Sequence, residues 1–158
     1  MAAVHLGTVI ESGTEAPDFT LRDQDLNEVS LGDFAGRKLV LAFYPADFSP
    51  VCTDQLSIYQ EVLGEIEAKG TTLVGVSVDS AFCHHAFREH LGLTMPLLAD
   101  FHPKGEMSSA YGAYREDRGA NNRSLVLVDE DGVVRWSYAS PSTREIPGAN
   151  LIFDALAA

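Results

Sequence analysis

Two continuous apolar runs of strand length, with a helical pattern between them, constrain the fold more than any other feature of this sequence. The runs are Leu39–Phe43 (LVLAF) and Thr72–Val78 (TLVGVSV), and each has the composition of a strand that is buried on both faces. Pro45 follows the first run, where proline ends a strand because it has no N–H to donate. The segment between the runs carries apolar residues at helical spacing and ends near Gly70; they are Leu56, Tyr59, Leu63 and Ile66.

Shorter patterns on either side of this strand–helix–strand unit predict a mixed sheet. An N-terminal hairpin is predicted across the polar stretch DQDLNE, and a second hairpin across DEDG at 129–132. Asp79 and Ser80 are suited to cap a helix that runs toward Leu91, and the other predicted elements are an extended piece at 96–98, a short helix up to residue 111 and a last helix over about 150–156. This order predicts an α/β chain with helices flanking a mixed central sheet, which is compatible with a thioredoxin-like fold. The sequence shows no internal repeat, low-complexity tract or linker, so a single domain over residues 1–158 is expected.

Composition and charge exclude several classes of partner. The chain is 46% hydrophobic and 22% charged, as expected for a folded globular protein. Its net charge of −12 disfavours nucleic acid and anionic membrane surfaces as partners. No apolar run reaches the roughly 18 residues of a membrane helix, and the first residues, MAAVHLGTVIESG, show no secretory signal. Together with only two cysteines, these features predict a reducing, cytoplasmic location.

The position of Cys52 is the feature that points to chemistry. Cys52 follows the first buried strand and falls in the first turn of the predicted helix, and reacting groups in such sheets gather at the carboxyl ends of strands. The N–H groups of a helix's first turn lack intrahelical partners and carry partial positive charge, which favours a thiolate. Because free cysteine is among the most buried residue types, an inert packed cysteine is the alternative.

Ionising such a thiol at neutral pH requires more than a helix N-terminus. A free cysteine with a pKa of about 8.5 is only ~3% thiolate at pH 7, and a pKa of about 6 requires roughly 3.4 kcal/mol of differential stabilisation. The helix supplies about 0.3–2 kcal/mol, while Asp47 and Asp54 oppose ionisation by like charge. A guanidinium is the best candidate for the missing cation, although spacing does not select one of the arginines. Ser49 offers a hydroxyl that can bridge thiolate and substrate, and Pro45 and Pro50 stiffen the loop.

The stretch PADFSPVC resembles the signature of the peroxiredoxin family, in which a proline, three residues, a threonine or serine and two more residues precede the peroxidatic cysteine. Pro45, Ser49 and Cys52 match this signature. Gln55 matches the family's glutamate or glutamine three residues later, and Arg123 resembles its second active-site arginine. The stretches APDFTLRD, SVDS, MPLLAD and AYGAY are also similar to the family, so the resemblance spans nearly the whole chain. It is strongest to the one-cysteine branch typified by alkyl hydroperoxide reductase E, with peroxiredoxin Q-like proteins next.

This resemblance implies a thiol-dependent peroxidase for hydrogen peroxide and organic hydroperoxides. Cys52 attacks the terminal peroxide oxygen and becomes a sulfenic acid, while Arg123, the Ser49 hydroxyl and the Cys52 N–H hold the two oxygens. The resemblance implies no metal, flavin or haem, and its reductant is thioredoxin, a glutaredoxin-like protein or a low-molecular-weight thiol. It also implies a homodimer. Serine in place of the commoner threonine at 49 lacks the methyl group that fixes the rotamer, so a modest effect on rate is expected.

Cys83 is the candidate resolving cysteine, in the first turn of the second predicted helix. In relatives that resolve from this helix, the cysteine lies about five residues further on, which is a rotation of about 500° around the helix. Because a disulfide needs Cα atoms within about 7 Å, resolution by Cys83 requires local unwinding. A packed or solvent-facing thiol is the alternative. No cysteine follows Cys83, so a C-terminal resolving cysteine is not expected.

The histidines and the remaining loop residue favour no separate site. His84, His85 and His90 contain no i, i+4 pair, so metal binding is not expected. Phe48 is expected either at a subunit contact or in the core. Among rival functions, a dithiol–disulfide exchanger lacks its C-x-x-C pair. A peroxide sensor or holdase-like protein that passes the oxidation of Cys52 to a partner remains the non-enzymatic alternative.

Overall fold

The computed structural model describes residues 9–158, so most of the stretch in which no secretory signal is seen lies outside the described residues. In this part of the chain a seven-stranded sheet carries helices on both faces. The strands are β1 (Thr20–Arg22), β2 (Glu28–Ser30), β3 (Lys38–Phe43), β4 (Thr71–Ser77), β5 (Leu97–Ala99), β6 (Tyr114–Arg115), β7 (Ala120–Asn121), β8 (Ser124–Val128) and β9 (Val134–Ala139). The helices are α1 (Pro50–Glu61), α2 (Leu63–Glu67), α3 (Ala81–Leu91), α4 (Glu106–Ala110) and α5 (Ala149–Ala157).

The central sheet is mixed, as predicted. Its order is β2-β1-β5-β4-β3-β8-β9, with β3, β4 and β5 parallel and the outer strands antiparallel to their neighbours. The N-terminal hairpin pairs Leu21 with Val29, and the second hairpin joins β8 to β9 across DEDG. Because β3 and β4 are parallel and central, their carboxyl ends lie side by side at one edge of the sheet. The loop that leads into α1 begins at this edge.

Alternation along β3 places the core on both faces of the sheet. Val40 and Ala42 face α1, α2, α3 and α5 in one apolar cluster. Leu39, Leu41 and Phe43 face the opposite side, in a cluster that includes residues from α4 and the N-terminal segment. All five side chains are essentially inaccessible to solvent. Two covered faces explain why β3 reads as an unbroken apolar run and not as an alternating one.

The helix predicted between β3 and β4 is in fact two helices, α1 and α2. Val62 separates them with a non-helical backbone (φ −107°, ψ 7°), and Gly64, a poor helix former, follows directly in α2. The four apolar residues that predicted the helix are nevertheless all buried. The short β6–β7 hairpin and a 3₁₀ turn at Leu31–Phe34 have no counterpart in the prediction. None of the helices in the described residues has the length and apolar character needed to cross a membrane.

The turn between β8 and β9 is stabilised by its first residue. The Asp129 carboxylate accepts hydrogen bonds from the backbone N–H groups of Val133 and Asp131, and from the Arg135 guanidinium. These bonds, with the Val133 N–H contributing most, hold the pKa of Asp129 below its ordinary value. The hairpin fixes the direction of β8, and residue 123, directly before β8, is thereby set against the end of β3.

Candidate active site

Cys52 lies where the loop after β3 enters α1. Ser49 is the N-cap in an extended conformation (φ −69°, ψ 146°), and Pro50 occupies the first helical turn, where a missing N–H costs nothing. Cys52 is the third helical residue and so lies in the first turn, as predicted, and its exposed fraction is 0%. The sulfur therefore sits at the positive end of a helix and is shielded from bulk water.

Arg123, directly before β8, contacts the Cys52 sulfur. Ser124 pairs with Phe43 at the end of β3, which places the preceding residue beside the start of α1. The Arg123 Nη1 atom lies 3.0 Å from Cys52 Sγ, and Arg123 is only 3% exposed. Arg123 Nε donates to the carbonyl oxygen of Thr143 at 2.6 Å, which orients the guanidinium. Arg123 is thus a guanidinium in direct contact with the Cys52 sulfur.

Gln55 holds Arg123 through a buried relay that runs back to the C-terminal part of the chain. Gln55 Oε1 accepts from Arg123 Nη1 at 2.7 Å, and Gln55 Nε2 donates to the Tyr59 hydroxyl at 3.1 Å. The Tyr59 hydroxyl donates to the carbonyl oxygen of Pro147 at 2.6 Å. Burial raises the pKa of Tyr59 to about 12, so the hydroxyl stays neutral and keeps its proton for Pro147. The Tyr59 hydroxyl therefore accepts from Gln55 Nε2, and this bond orients the Gln55 amide with its oxygen toward the guanidinium.

Ser49 and Pro45 both lie in the loop, and the hydrogen of the Ser49 hydroxyl is bonded within that loop. Ser49 Oγ donates to the carbonyl oxygen of Ala46 at 2.9 Å and makes no capping bond to α1. The first-turn N–H groups, including that of Cys52, are therefore left without a side-chain cap from this residue. Pro45 is half-buried at the start of the loop, directly after Tyr44.

The two carboxylates that were expected to oppose ionisation of Cys52 have different surroundings. Asp54 is exposed on α1, where solvent screens its charge. Asp47 is buried, and its oxygens bond to the Tyr44 hydroxyl at 2.6 Å and to His84 Nδ1 at 2.7 Å. His84 is therefore a buried partner of the loop, a role that the sequence did not reveal.

Cys83 has an environment opposite to that of Cys52. It is half-buried in the first turn of α3, with Sγ 4.0 Å from Asp79 Oδ1. Burial, followed by the negative charges of Asp47 and Asp79, raises the pKa of the Cys83 thiol to about 12. Both cysteines are free thiols. The Cys52 sulfur thus lies beside a cation, whereas the Cys83 sulfur lies beside two carboxylates.

Contacts that were not predicted from the sequence orient several side chains of the site. Tyr59 was predicted only as an apolar helix residue, and its hydroxyl role depends on Pro147, which is 88 residues away. Thr143 contributes a backbone carbonyl, for which a side-chain pattern gives no signal. A buried sulfur at a helix N-terminus, in contact with an oriented guanidinium, is suited to nucleophilic attack with stabilisation of developing negative charge. Fold and site together define a thioredoxin-like protein with thiol redox chemistry.

Comparison with known proteins identifies the family. The AhpC/TSA family profile matches residues 12–137. Alkyl hydroperoxide reductase E of Mycobacterium tuberculosis is 36% identical over 151 residues, which cover 95% of this chain and 98% of the relative. Thioredoxin peroxidase of Echinococcus granulosus is 35% identical over 155 residues, which cover 90% and 79%. The crystal structure of peroxidoxin BcpB from Mycobacterium tuberculosis superposes with a TM-score of 0.84 and 25% identity, over 94% of this chain and 97% of the other.

The chain therefore belongs to the AhpC/TSA family. It is a peroxiredoxin, a thiol-dependent peroxidase, and its fold is the thioredoxin-like fold of that family. The resemblance seen in PADFSPVC and the fold class predicted from the apolar runs are confirmed.

Proposed function

We propose that Cys52 is the peroxidatic cysteine and that Arg123 keeps its sulfur anionic. The observation that carries this proposal is the 3.0 Å contact between Arg123 Nη1 and Cys52 Sγ in a fully buried site at the start of α1. A permanently charged guanidinium favours the thiolate over the thiol, and low local polarity strengthens the attraction. The helix N-terminus adds a smaller contribution of the same sign.

The reaction proceeds by attack of the thiolate on the terminal oxygen of the peroxide, R–O–OH. The S–O bond forms as the O–O bond breaks, so that sulfur is oxidised to a sulfenic acid and the leaving R–O⁻ takes a proton to become an alcohol, or water when R is hydrogen. Arg123 and the Cys52 N–H donate to the oxygen that gains negative charge. Ser49 keeps lone pairs on Oγ that can accept the peroxide O–H.

We propose that an external thiol, and not Cys83, restores Cys52. One thiol attacks the sulfenic acid and releases water, leaving a mixed disulfide, and a second thiol reduces that disulfide to regenerate Cys52. Cys83 is poorly suited to the first of these steps because burial, together with Asp47 and Asp79 beside its sulfur, raises the pKa of the thiol and keeps it protonated. The thiolate is the attacking species in such exchange. A low-molecular-weight thiol, thioredoxin or a glutaredoxin-like protein fits this role.

Mass spectrometry after one equivalent of peroxide tests this scheme. We expect a sulfenic acid on Cys52, trapped by a dione reagent, and no peptide that links Cys52 to Cys83. In a Cys83→Ser variant the same adduct should form at the same rate, and turnover with an added thiol should be unchanged. A Cys52–Cys83 disulfide in the parent protein would instead establish Cys83 as the resolving cysteine. Absence of any oxidation at Cys52 would remove the basis of the proposal.

We also propose that the protein acts as a cytoplasmic homodimer, with neither nucleic acid nor membrane as a partner. The negative net charge supports the last two points. The dimer is supported by a groove of about 590 Å³ that is lined by three exposed apolar side chains, those of Leu26, Phe82 and Phe101. Phe82 is 74% exposed, and apolar side chains grouped in this way are typical of interaction surfaces. Phe48 is also half exposed in the reactive loop, so it is available for a subunit contact.

Sedimentation measurements test the dimer. The parent chain should sediment at about twice the 17.1 kDa mass of one chain. Phe82→Glu should shift the protein to the monomer because it places a charge in the apolar groove, whereas Glu130→Lys in the β8–β9 turn should not. A parent protein that remains monomeric at high micromolar concentration would contradict the proposal.

A further inference from the structure

A buried hydrogen-bonded chain joins helix α3 to the loop that carries Cys52, and the proposed chemistry does not use it. The Tyr44 hydroxyl donates to Asp47 Oδ1 at 2.6 Å, and His84 Nδ1 lies 2.7 Å from Asp47 Oδ2. On the other side of the ring, His84 Nε2 lies 3.0 Å from the carbonyl oxygen of Leu98 in β5. The side chains of His84 and Asp47 are both 0% exposed. The chain therefore links the end of β3, the loop, α3 and β5 through direct hydrogen bonds.

The hydrogen bonds determine how many protons this pair carries. The Leu98 carbonyl can only accept, so Nε2 of His84 bears a proton. Nδ1 faces a carboxylate oxygen at 2.7 Å, and a contact this short requires a second proton between the two atoms. The imidazole and the carboxyl group of Asp47 together are thus neutral. Tyr44, whose pKa is raised well above its ordinary value by burial and by Asp47, stays a neutral donor to the same carboxylate.

The loop that this pair anchors is strained. Phe48, directly after Asp47, has a φ of +65°, a left-handed conformation that is unfavourable for a residue with a Cβ. Strain of this kind persists only where surrounding contacts determine the conformation. Here the Asp47 N–H donates to Asp79 Oδ2 at 2.9 Å, and the Phe48 ring packs on Phe87 with centroids 5.0 Å apart. The anchored turn ends at Ser49, the N-cap of α1.

We infer that His84 is a positioning residue of the peroxidase site, which holds the Asp47 carboxylate and thereby fixes the strained turn that sets Cys52 at the start of α1. This inference rests on the proposed role of Cys52. His84 also offsets the negative charge of Asp47, which stands five positions before Cys52 in the same loop. Without the imidazole, that charge would be left unpaired in a buried site and would oppose an anionic sulfur.

Three variants separate this role from simple packing. His84→Leu removes both hydrogen bonds but fills the space with an apolar side chain, whereas His84→Asn is smaller but keeps an N–H that can donate to Asp47. The double variant Asp47→Asn/His84→Leu also removes the charge. His85→Leu is the matched control, since His85 is the next residue on α3 and its side chain is 53% exposed. Each protein is assayed for the rate of Cys52 oxidation by hydrogen peroxide, the ultraviolet absorbance of the thiolate at neutral pH, and thermal unfolding.

We expect His84→Leu to slow oxidation by about tenfold or more, since small displacements of reacting groups have effects of this size. It should also lower the thiolate absorbance. His84→Asn should retain more of both, an order opposite to that expected for an apolar packing role. The double variant should recover the thiolate absorbance but not the full oxidation rate, because the turn stays unanchored. His85→Leu should match the parent.

Several results would overturn the inference. They are a His84→Leu rate within twofold of the parent, a His84→Leu rate equal to or above that of His84→Asn, and no recovery of thiolate in the double variant. If His84→Leu does not fold, the double variant Asp47→Asn/His84→Leu is used in its place, because it has no unpaired buried charge. A parental oxidation rate in the double variant would contradict the inference. Failure of the proposed function is seen separately, because the parent itself would then react with peroxide no faster than an ordinary thiol.

Discussion

Replacing Cys52 with serine is expected to abolish peroxide reduction, with a loss well above 10³-fold, as is usual when an enzyme's nucleophile is removed. A serine hydroxyl fits the same buried space at the start of α1, but it does not ionise near neutral pH and therefore gains little from the adjacent guanidinium. Arg123 and Gln55 would remain in place, so the fold and the oxyanion-stabilising groups are preserved. The measurement is peroxide consumption in the presence of a dithiol reductant.

Cys83→Ser is the matched control for this experiment, because it exchanges the same atoms at the chain's other cysteine. Its sulfur lies beside Asp79 and not beside a cation, so its removal should leave the first-step rate unchanged. Retention of more than a tenth of the parental activity by Cys52→Ser would show that the reactive group lies elsewhere. An equal loss in both variants would point to a dithiol mechanism.

Replacing Arg123 with alanine is expected to slow Cys52 oxidation by about 10²–10³-fold, in line with the removal of one preorganised donor from an anion-stabilising site. The change removes the group 3.0 Å from Cys52 Sγ and leaves Gln55 Oε1 without its donor. Both the thiolate and the negative charge on the departing oxygen lose stabilisation. Arg123→Lys should fall between alanine and the parent, because a lysine keeps the charge but its single nitrogen cannot replace both Nε, which bonds to Thr143, and Nη1, which bonds to Cys52 and Gln55. Stopped-flow oxidation measures each rate.

Arg135→Ala provides the control for this change, since it removes an equal charge from the far end of the sheet. Arg135 pairs with Asp129 at the β8–β9 turn, so its loss should affect stability slightly and the peroxide rate not at all. A rate for Arg123→Ala within twofold of the parent would exclude the proposed role of the guanidinium. Comparable losses in both variants would indicate an effect of net charge alone.

Features that depend on neighbouring residues could be predicted from the sequence. Leu39–Phe43 was identified as a central strand because burial on both faces leaves an unbroken apolar run. Ser80 was identified as a helix cap, and its hydroxyl accepts the Cys83 N–H at 3.2 Å. The placement of Cys52 in a first helical turn followed from the same local logic. The single domain over residues 1–158 stays a prediction.

Features that depend on distant residues could not be predicted in this way. The contact of Arg123 with Cys52 was anticipated only through a family signature, since charge reasoning required a guanidinium but did not select one. His84 looked like part of a histidine cluster, and its true partner, Asp47, lies 37 residues earlier. Tyr59 gave an apolar signal because most of its surface is apolar. Nothing local indicated that its hydroxyl reaches Pro147.

The distance along the chain between Cys52 and Arg123 has a consequence for biosynthesis. The two are separated by 71 residues, and the carbonyls that orient the arginine and its relay come later still, at Thr143 and Pro147. On the proposed roles, a nascent polypeptide that has extended past the cysteine but not past these positions lacks the guanidinium and the carbonyl groups that orient it. We therefore expect the sulfur to gain its full reactivity only after the C-terminal segment has packed against α1.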